Sequence, residues 1–105
     1  MGKRILYGSA GSGSAAIEMA LRVARVRYRV VRASTWERGS AMDELLRVNP
    51  LGQIPTLVEP DGTVVSESAA ILIHLGLAHP RARLLPSAAD ARARALRGLV
   101  FIAAN

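Results

Sequence analysis

The clearest structural signal in the sequence is a tight turn between two short runs of strand-forming residues. The runs cover residues 56–59 and 63–66, and Pro60, Asp61 and Gly62 separate them. Proline and glycine in this order are typical of a β-turn, and the threonines and valines on either side favour strands. The sequence therefore predicts an antiparallel hairpin, and the domain must contain a sheet that accommodates it.

A parallel strand pair is predicted in the first third of the chain. A short apolar run over 3–7 stops at Gly8, a Gly/Ser loop occupies 8–14, and residues 15–26 carry apolar side chains at helical spacing. Residues 28–32 then alternate like a strand. Strand, helix and strand in this order form a βαβ unit, which joins parallel strands.

Further helices complete the pattern. One is predicted over 41–47, one from Ser68 through Leu75 with apolar residues on most sides, and one from residue 88 onwards. The order β-α-β-α-β-β-α plus a final helix predicts an α/β domain whose sheet mixes parallel and antiparallel strands.

Composition excludes several kinds of site. The 105 residues contain no cysteine, which removes disulfides, zinc–thiolate centres and a cysteine nucleophile. The two histidines give poor support to a metal site, so no metal is expected. The net charge of +6 comes from arginines spread along the chain and aromatic content is 4%, so no nucleic-acid partner is expected. No apolar run approaches the roughly 20 residues of a membrane span, so we expect a cytoplasmic protein without a membrane partner.

The Gly/Ser loop is compatible with two kinds of ligand. Residues 11–16 match G-x-G-x-x-A between a strand and a helix, which is a dinucleotide fingerprint. However, the second strand runs into Arg32-Ala-Ser34 without the expected acidic residue. Alternatively, the helix N-terminus and the hydroxyls of Ser9, Ser12 and Ser14 stabilise a small anion such as a thiolate. Ser14 is also a candidate N-cap.

Two segments resemble the N-terminal domain of the glutathione transferase family. Residues 49–57, Asn-Pro-Leu-Gly-Gln-Ile-Pro-Thr-Leu, match N-P-x-G-x-[IV]-P-x-L, and residues 67–71, Glu-Ser-Ala-Ala-Ile, match [EQD]-S-x-A-I at the family's separation. The resemblance covers residues 1–80 and implies a thioredoxin-like α/β fold, in which a four-stranded mixed sheet carries helices on both faces. The first loop is nearest to the bacterial beta-class pattern, but Gly13 stands where that class usually carries a cysteine.

The resemblance implies a glutathione site. The bond between Ile54 and Pro55 resembles the family's cis-proline, which would turn the backbone of Ile54, next to Gln53, toward the cysteinyl unit of glutathione. An ordinary trans turn is the alternative. Ser68 at a helix start would hold the γ-glutamyl carboxylate, and Glu67 would meet the ammonium group. Simple N-capping is the alternative for Ser68.

The resemblance leaves several candidates for the residue that activates the thiolate. In serine-type classes a loop hydroxyl donates to the thiolate and lowers its pKa below the free value of ~8.5. Ser12 is the first candidate, followed by Ser14, Tyr7 and Ser9. Tyr7 suits a core position equally well.

The resemblance also implies what the whole protein does. Glutathione is the expected co-substrate, and its thiolate would add to a hydrophobic electrophile in a detoxifying enzyme that forms a homodimer at full length. A glutathione-binding module without catalysis stays open. We expect a thioredoxin-like domain over 1–80, a linker over 81–87, and the truncated start of an all-helical C-terminal domain over 88–105, because the last helix is apolar.

Overall fold

The computed structural model describes residues 2–10, 12–34, 36 and 39–104. Its strands are β1 (Ile5–Gly8), β2 (Arg29–Arg32), β3 (Thr56–Val58) and β4 (Val64–Ser66). Its α-helices are α1 (Ser14–Val23), α2 (Met42–Val48), α3 (Ser68–Ala78) and α4 (Ala89–Ala104), and a 3₁₀ turn covers Pro80–Ala82. The predicted order of elements is confirmed.

The four strands form one mixed sheet in the order β2-β1-β3-β4. The β1 and β2 strands are parallel, with Gly8 opposite Arg32, whereas β3 runs antiparallel to β1 and to β4. This confirms the thioredoxin-like α/β fold and the hairpin. The antiparallel β3 beside β1 does not fit the parallel sheet that the dinucleotide interpretation requires.

Helices cover both faces of the sheet, as predicted. Successive strand residues point to opposite faces, so Leu6 and Tyr7 on β1 lie in different layers. One layer packs Leu6 and Leu57 against α1 and α3, where Ile71 and Leu75 are fully buried. The other layer packs Tyr7 with buried residues Ala33 and Leu45 of the α2 side.

The register brings three chain segments to one end of the sheet. The carboxyl end of β1 leads into the loop before α1. Because β3 is antiparallel, its first residue Thr56 lies opposite Tyr7 at this same end. Thr56 also lies opposite Ser66, the last residue of β4, so the start of α3 follows at this end too. A ligand bound here meets a loop, a turn and the N-termini of two helices.

The candidate N-cap at Ser14 is wrong, and so is the N-capping alternative for Ser68. Ser14 is the first residue of α1, and the N-cap position is Gly13, which has no side chain to form a cap. The Ser14 hydroxyl donates instead to the carbonyl oxygen of Ser9 at 3.2 Å, which closes the preceding loop. At α3 the N-cap residue is Glu67 with no side-chain cap bond, and Ser68 is already helical.

A charged network joins the hairpin to β1 and α3. One Glu59 carboxylate oxygen accepts from Arg4 Nε at 2.6 Å, and the other lies 2.9 Å from His74 Nε2. Burial alone would raise the pKa of Glu59, but the hydrogen bonds of His74 and Arg4 outweigh it and hold this pKa below its usual value. The network therefore stabilises the fold above the unfolded-state pKa of about 4.3 and weakens as the pH falls through the lower folded-state pKa.

Two arginines lie in left-handed backbone conformations at the ends of helical segments. The α1 helix ends at Val23, earlier than predicted, because Arg25 adopts a φ of 57° and the Val26 N–H turns back to the Leu21 carbonyl at 3.3 Å. Arg83, with a φ of 56°, ends the 3₁₀ turn in the same way. Glycine is the preferred residue at such positions, because any side chain crowds the backbone there.

Replacing either arginine with glycine is expected to stabilise the protein. Arg25→Gly and Arg83→Gly should each raise the free energy of unfolding by about 1 kcal/mol, because the left-handed strain disappears. Urea denaturation measures the change. Arg97→Gly inside α4 is the control and should lower this free energy by about 1 kcal/mol. A lower stability of both left-handed variants would contradict the interpretation.

Candidate functional site

A groove forms where the loop before α1, the turn before β3 and the start of α3 meet. A Cβ atom on Gly13 would lie 2.8 Å from Ser68 Oγ and 3.8 Å from Pro55 Cδ, so the three segments are in near contact. A cavity of about 320 Å³ adjoins them, lined by Gly13, Glu67 and Ser68 and, from α4, by Leu99 and Ile102. The structure thus brings together the predicted residues Pro55, Glu67 and Ser68.

The turn before β3 is fixed by a buried hydrogen-bond network. Asn49 Nδ2 donates to Thr56 Oγ1 at 3.0 Å, and that hydroxyl donates to the Gln53 carbonyl at 2.7 Å. The Leu51 N–H donates to Asn49 Oδ1 at 3.1 Å. Within this turn the peptide bond between Ile54 and Pro55 is cis, as the resemblance implied.

Asn49 and Thr56 are not among the predicted site residues, yet they fix the turn before β3 at the centre of the site. Asn49 is 7% exposed and Thr56 is fully buried, so each polar side chain must find a partner inside the protein. The signal for Asn49 was available in the sequence, since an asparagine before proline commonly bonds to the backbone two residues on. No comparable signal marked Thr56, because its partners depend on the folded turn.

The backbone of Ile54 is open to a ligand. Among the described residues, neither its N–H nor its carbonyl group makes a backbone hydrogen bond. Ile54 is half-buried and precedes the first strand residue, Thr56, while Gln53 beside it is exposed. An extended peptide could therefore pair with Ile54 as an added strand would.

The start of α3 presents free hydrogen-bond donors to the groove. The first helical bond runs from the Ile71 N–H to the Glu67 carbonyl, so the N–H groups of the first turn have no acceptor within the helix. Glu67 itself has a φ of 73°, a conformation that non-glycine residues rarely adopt outside functional sites. These donors and the Ser68 hydroxyl suit a carboxylate, and the exposed Glu67 side chain suits a cation.

The three candidate serines form a closed cluster. Ser12 Oγ donates to the Ser9 carbonyl at 2.6 Å, and Ser14 Oγ lies 3.2 Å from the same carbonyl and 2.9 Å from Ser12 Oγ. The N–H groups of Ser9 and Ser14 donate to Ser12 Oγ. Both hydroxyl protons thus have acceptors inside the loop. Ser9 and Ser14 also line a separate cavity of about 290 Å³ with Glu18 and Arg32.

Tyr7 lies on the α2 side of the sheet and is 3% exposed. Its hydroxyl donates to Glu44 Oε2 at 2.7 Å. Burial, with the hydrogen bond and the charge of Glu44, raises the pKa of Tyr7 to about 12, against a smaller lowering by Arg29. The phenol therefore stays protonated at neutral pH, and its hydrogen bond is directed to the Glu44 side chain.

Neither a metal-ligand cluster nor a membrane-spanning helix occurs among the described residues. In this part of the chain, histidines and acidic residues nowhere form a group of three or more that could hold a metal ion. The helices within the same ranges are too short or too polar to cross a membrane.

Comparison with known sequences identifies relatives along most of the chain. Residues 14–78 match a family model described as the glutathione S-transferase N-terminal domain. Maleylacetoacetate isomerase of Dictyostelium discoideum is 31% identical over 106 aligned residues, which cover 98% of this chain and 48% of that protein. The chain spans between a third and a half of the length of the curated relatives that it matches.

Solved structures resemble the whole arrangement. A glutathione transferase homologue from Sulfitobacter with bound glutathione has a TM-score of 0.86 and 29% identity, over 100% of this chain and 50% of that one. A bacterial beta-class glutathione S-transferase from Sphingomonas chungbukensis has a TM-score of 0.81 and 30% identity, over 94% of this chain and 50% of that one.

Removing the Thr56 hydroxyl is expected to destabilise the fold. Thr56→Val keeps the side-chain shape but leaves Asn49 Nδ2 and the Gln53 carbonyl without their partner, which should lower the free energy of unfolding by about 1–3 kcal/mol. Urea denaturation measures the loss. The exposed Thr63 in the hairpin offers the matched control, and Thr63→Val should change the free energy by less than about 0.5 kcal/mol. Equal effects of the two substitutions would remove the role given to Thr56.

Proposed function

Because the chain belongs to the glutathione S-transferase family, whose N-terminal domain it matches, we propose that it binds glutathione in the groove and activates the thiolate. The thiolate would then add to a hydrophobic electrophile. The observation that carries the proposal is the near contact of Gly13, Pro55 and Ser68, which assembles a loop, an open backbone edge and a helix N-terminus around one groove. The Sulfitobacter homologue, which holds glutathione, supports the ligand.

The start of α3 receives the γ-glutamyl unit in this proposal. Its carboxylate accepts hydrogen bonds from the Ser68 hydroxyl and from the N–H groups of the first helical turn, and the positive end of the helix dipole favours the negative charge. The Glu67 carboxylate pairs with the ammonium group of the same unit. The left-handed backbone of Glu67 is the local feature that supports a binding role for this residue.

The turn before β3 receives the cysteinyl unit. Its backbone N–H and carbonyl pair with those of Ile54, which have no backbone partner among the described residues. Gln53 lies alongside, and the buried network of Asn49 and Thr56 keeps the turn in place while the ligand binds. When the γ-glutamyl and cysteinyl units are both held in this way, the cysteinyl thiol lies toward the loop before α1.

The thiolate is stabilised at the N-terminus of α1. Backbone N–H groups and the helix dipole supply part of the stabilisation. Ser12 is the first candidate for a hydroxyl donor, followed by Ser14, Tyr7 and Ser9. For Ser12 to donate, its hydroxyl must rotate away from the Ser9 carbonyl at 2.6 Å when the thiolate arrives.

A glutathione-binding module without catalysis is the second candidate function. The inward hydrogen bonds of Ser12 and Ser14, together with that of Tyr7 to Glu44, favour it, because each hydroxyl already has an acceptor. Retention on a glutathione resin without conjugation of a chloro-dinitro-arene would identify this function.

The remaining parts of the proposal concern the whole protein. We propose a cytoplasmic homodimer in which residues 1–80 bind glutathione, residues 81–87 link, and residues 88–105 begin a helical domain that selects the electrophile. The relatives' greater length and the apolar residues of α4, including the exposed Phe101 and Ile102, support this division.

Loss of the Ser68 hydroxyl is expected to weaken glutathione binding. Ser68→Ala should raise the Kd about tenfold, the usual cost of one hydrogen bond to a charged group. Isothermal titration calorimetry with reduced glutathione measures it. Ser87→Ala, at an exposed linker position, is the control and should leave the Kd unchanged. Absence of saturable binding by the unmodified chain, or an unchanged Kd for Ser68→Ala, would refute the site.

Loss of the Ser12 hydroxyl is expected to raise the pKa of the bound glutathione thiol toward its free value of ~8.5, because the thiolate loses a donor. The pH dependence of thiolate ultraviolet absorbance in the complex measures it. Ser14→Ala, Ser9→Ala and Tyr7→Phe provide the comparison. An unchanged pKa for Ser12→Ala would remove Ser12 as the first candidate, and a free-like pKa in the unmodified complex would favour the non-catalytic module.

A further inference from the structure

A cavity of about 640 Å³ lies at the opposite ends of α1 and α3 from the glutathione groove. Both helices begin at the groove, so their carboxyl ends meet at the far side of the domain. Residues 23–25, where α1 ends, line the cavity on one side, and residues 78–82, where α3 ends, line it on the other. None of these residues takes part in the proposed glutathione site.

The cavity carries cationic groups without an anionic partner. Arg25 and Arg81 line it, and neither side chain has an ion pair or a hydrogen bond within the described parts of the chain. His79 lines it too, and its Nε2 atom is buried without a hydrogen-bond partner.

The backbone of Arg25 gives an independent indication. Arg25 has a φ of 57° at the end of α1, a position where glycine is preferred. A residue held in an unfavourable conformation at the wall of a cavity is a reasonable candidate for a functional side chain. Arg83 has the same conformation, but it does not line the cavity.

Arginines near helix carboxyl ends also have a purely structural explanation, since each end carries a partial charge of about −0.5. Two helix ends therefore offset about one of the two guanidinium charges, and the cavity keeps a positive field. Its other walls, including Val23, Ala78 and Pro80, are apolar. The cavity thus combines cationic donors with apolar surface, as a site for an organic anion does.

We propose that this cavity binds an organic phosphate monoester. The two guanidinium groups can each form paired hydrogen bonds to the oxygens of a phosphate group, and the remaining positive field favours its negative charge. The apolar walls, together with the His79 ring that lines the cavity, receive the organic group. A monocarboxylate has oxygens for paired hydrogen bonds to only one of the two guanidinium groups, and inorganic phosphate uses none of the apolar surface.

Phenyl phosphate is the probe for this site, titrated into the full chain by calorimetry in a low-salt buffer free of phosphate. We expect saturable binding of one molecule per chain. Arg25→Gly should weaken it about tenfold or more while raising the urea midpoint, so the loss cannot come from unfolding. Arg81→Gln should weaken it to a similar degree. Inorganic phosphate and benzoate should each bind more weakly than phenyl phosphate.

Arg83→Gly is the matched control, because it removes the same charge from the same backbone conformation outside the cavity. It should leave phenyl phosphate binding within about twofold of the unmodified chain. Equal losses in Arg25→Gly and Arg83→Gly would indicate net charge only and overturn the proposal. Absence of saturable binding, or competition by glutathione, would also overturn it.

Discussion

The hydroxyl of Thr56 connects the parts of the molecule on which the groove depends. Thr56 is fully buried as the first residue of β3, where it pairs with both β1 and β4. Its single hydroxyl accepts from Asn49 and donates to the Gln53 carbonyl, so the turn is tied to the strand that sets the register. The position of Ile54 and Pro55 relative to Gly13 and Ser68 follows from this attachment.

The direction of α1 and α3 gives the domain an electrostatic polarity. Both helices start beside the groove and end at the far side, so their positive ends meet where anions are proposed to bind. Their negative ends meet where Arg25 and Arg81 lie. The helix dipoles thus favour the carboxylate and the thiolate that are proposed to bind at the groove. At the other end of the domain they reduce the electrostatic repulsion between the two arginines.

Local sequence signals predicted much of the fold, because they act over a few residues. The Pro60-Asp-Gly62 turn predicted the hairpin, whereas the cis bond before Pro55 was implied by the family resemblance of the surrounding motif. Contacts that depend on the folded chain were not predicted. The strand register places Tyr7 against Glu44, and the Ser14 hydroxyl donates to the Ser9 carbonyl instead of capping α1. The left-handed Arg25 also escaped, since a glycine normally signals that position.

The hydroxyl protons of the serine cluster determine whether the loop can donate hydrogen bonds to a thiolate. The Ser9 carbonyl accepts from the Ser12 N–H at 3.1 Å as well as from the Ser12 and Ser14 hydroxyls, so three donors share its two lone pairs. An arriving thiolate must therefore compete with a 2.6 Å bond for the Ser12 proton. The Ser14 N–H donates to Ser12 Oγ at 3.2 Å, but the next N–H groups of α1 have no acceptor within the helix and face less competition. In the proposed complex, backbone amides would thus supply the first stabilisation of the thiolate, and a hydroxyl would add to it only when the thiolate's charge outweighs the attraction of the Ser9 carbonyl.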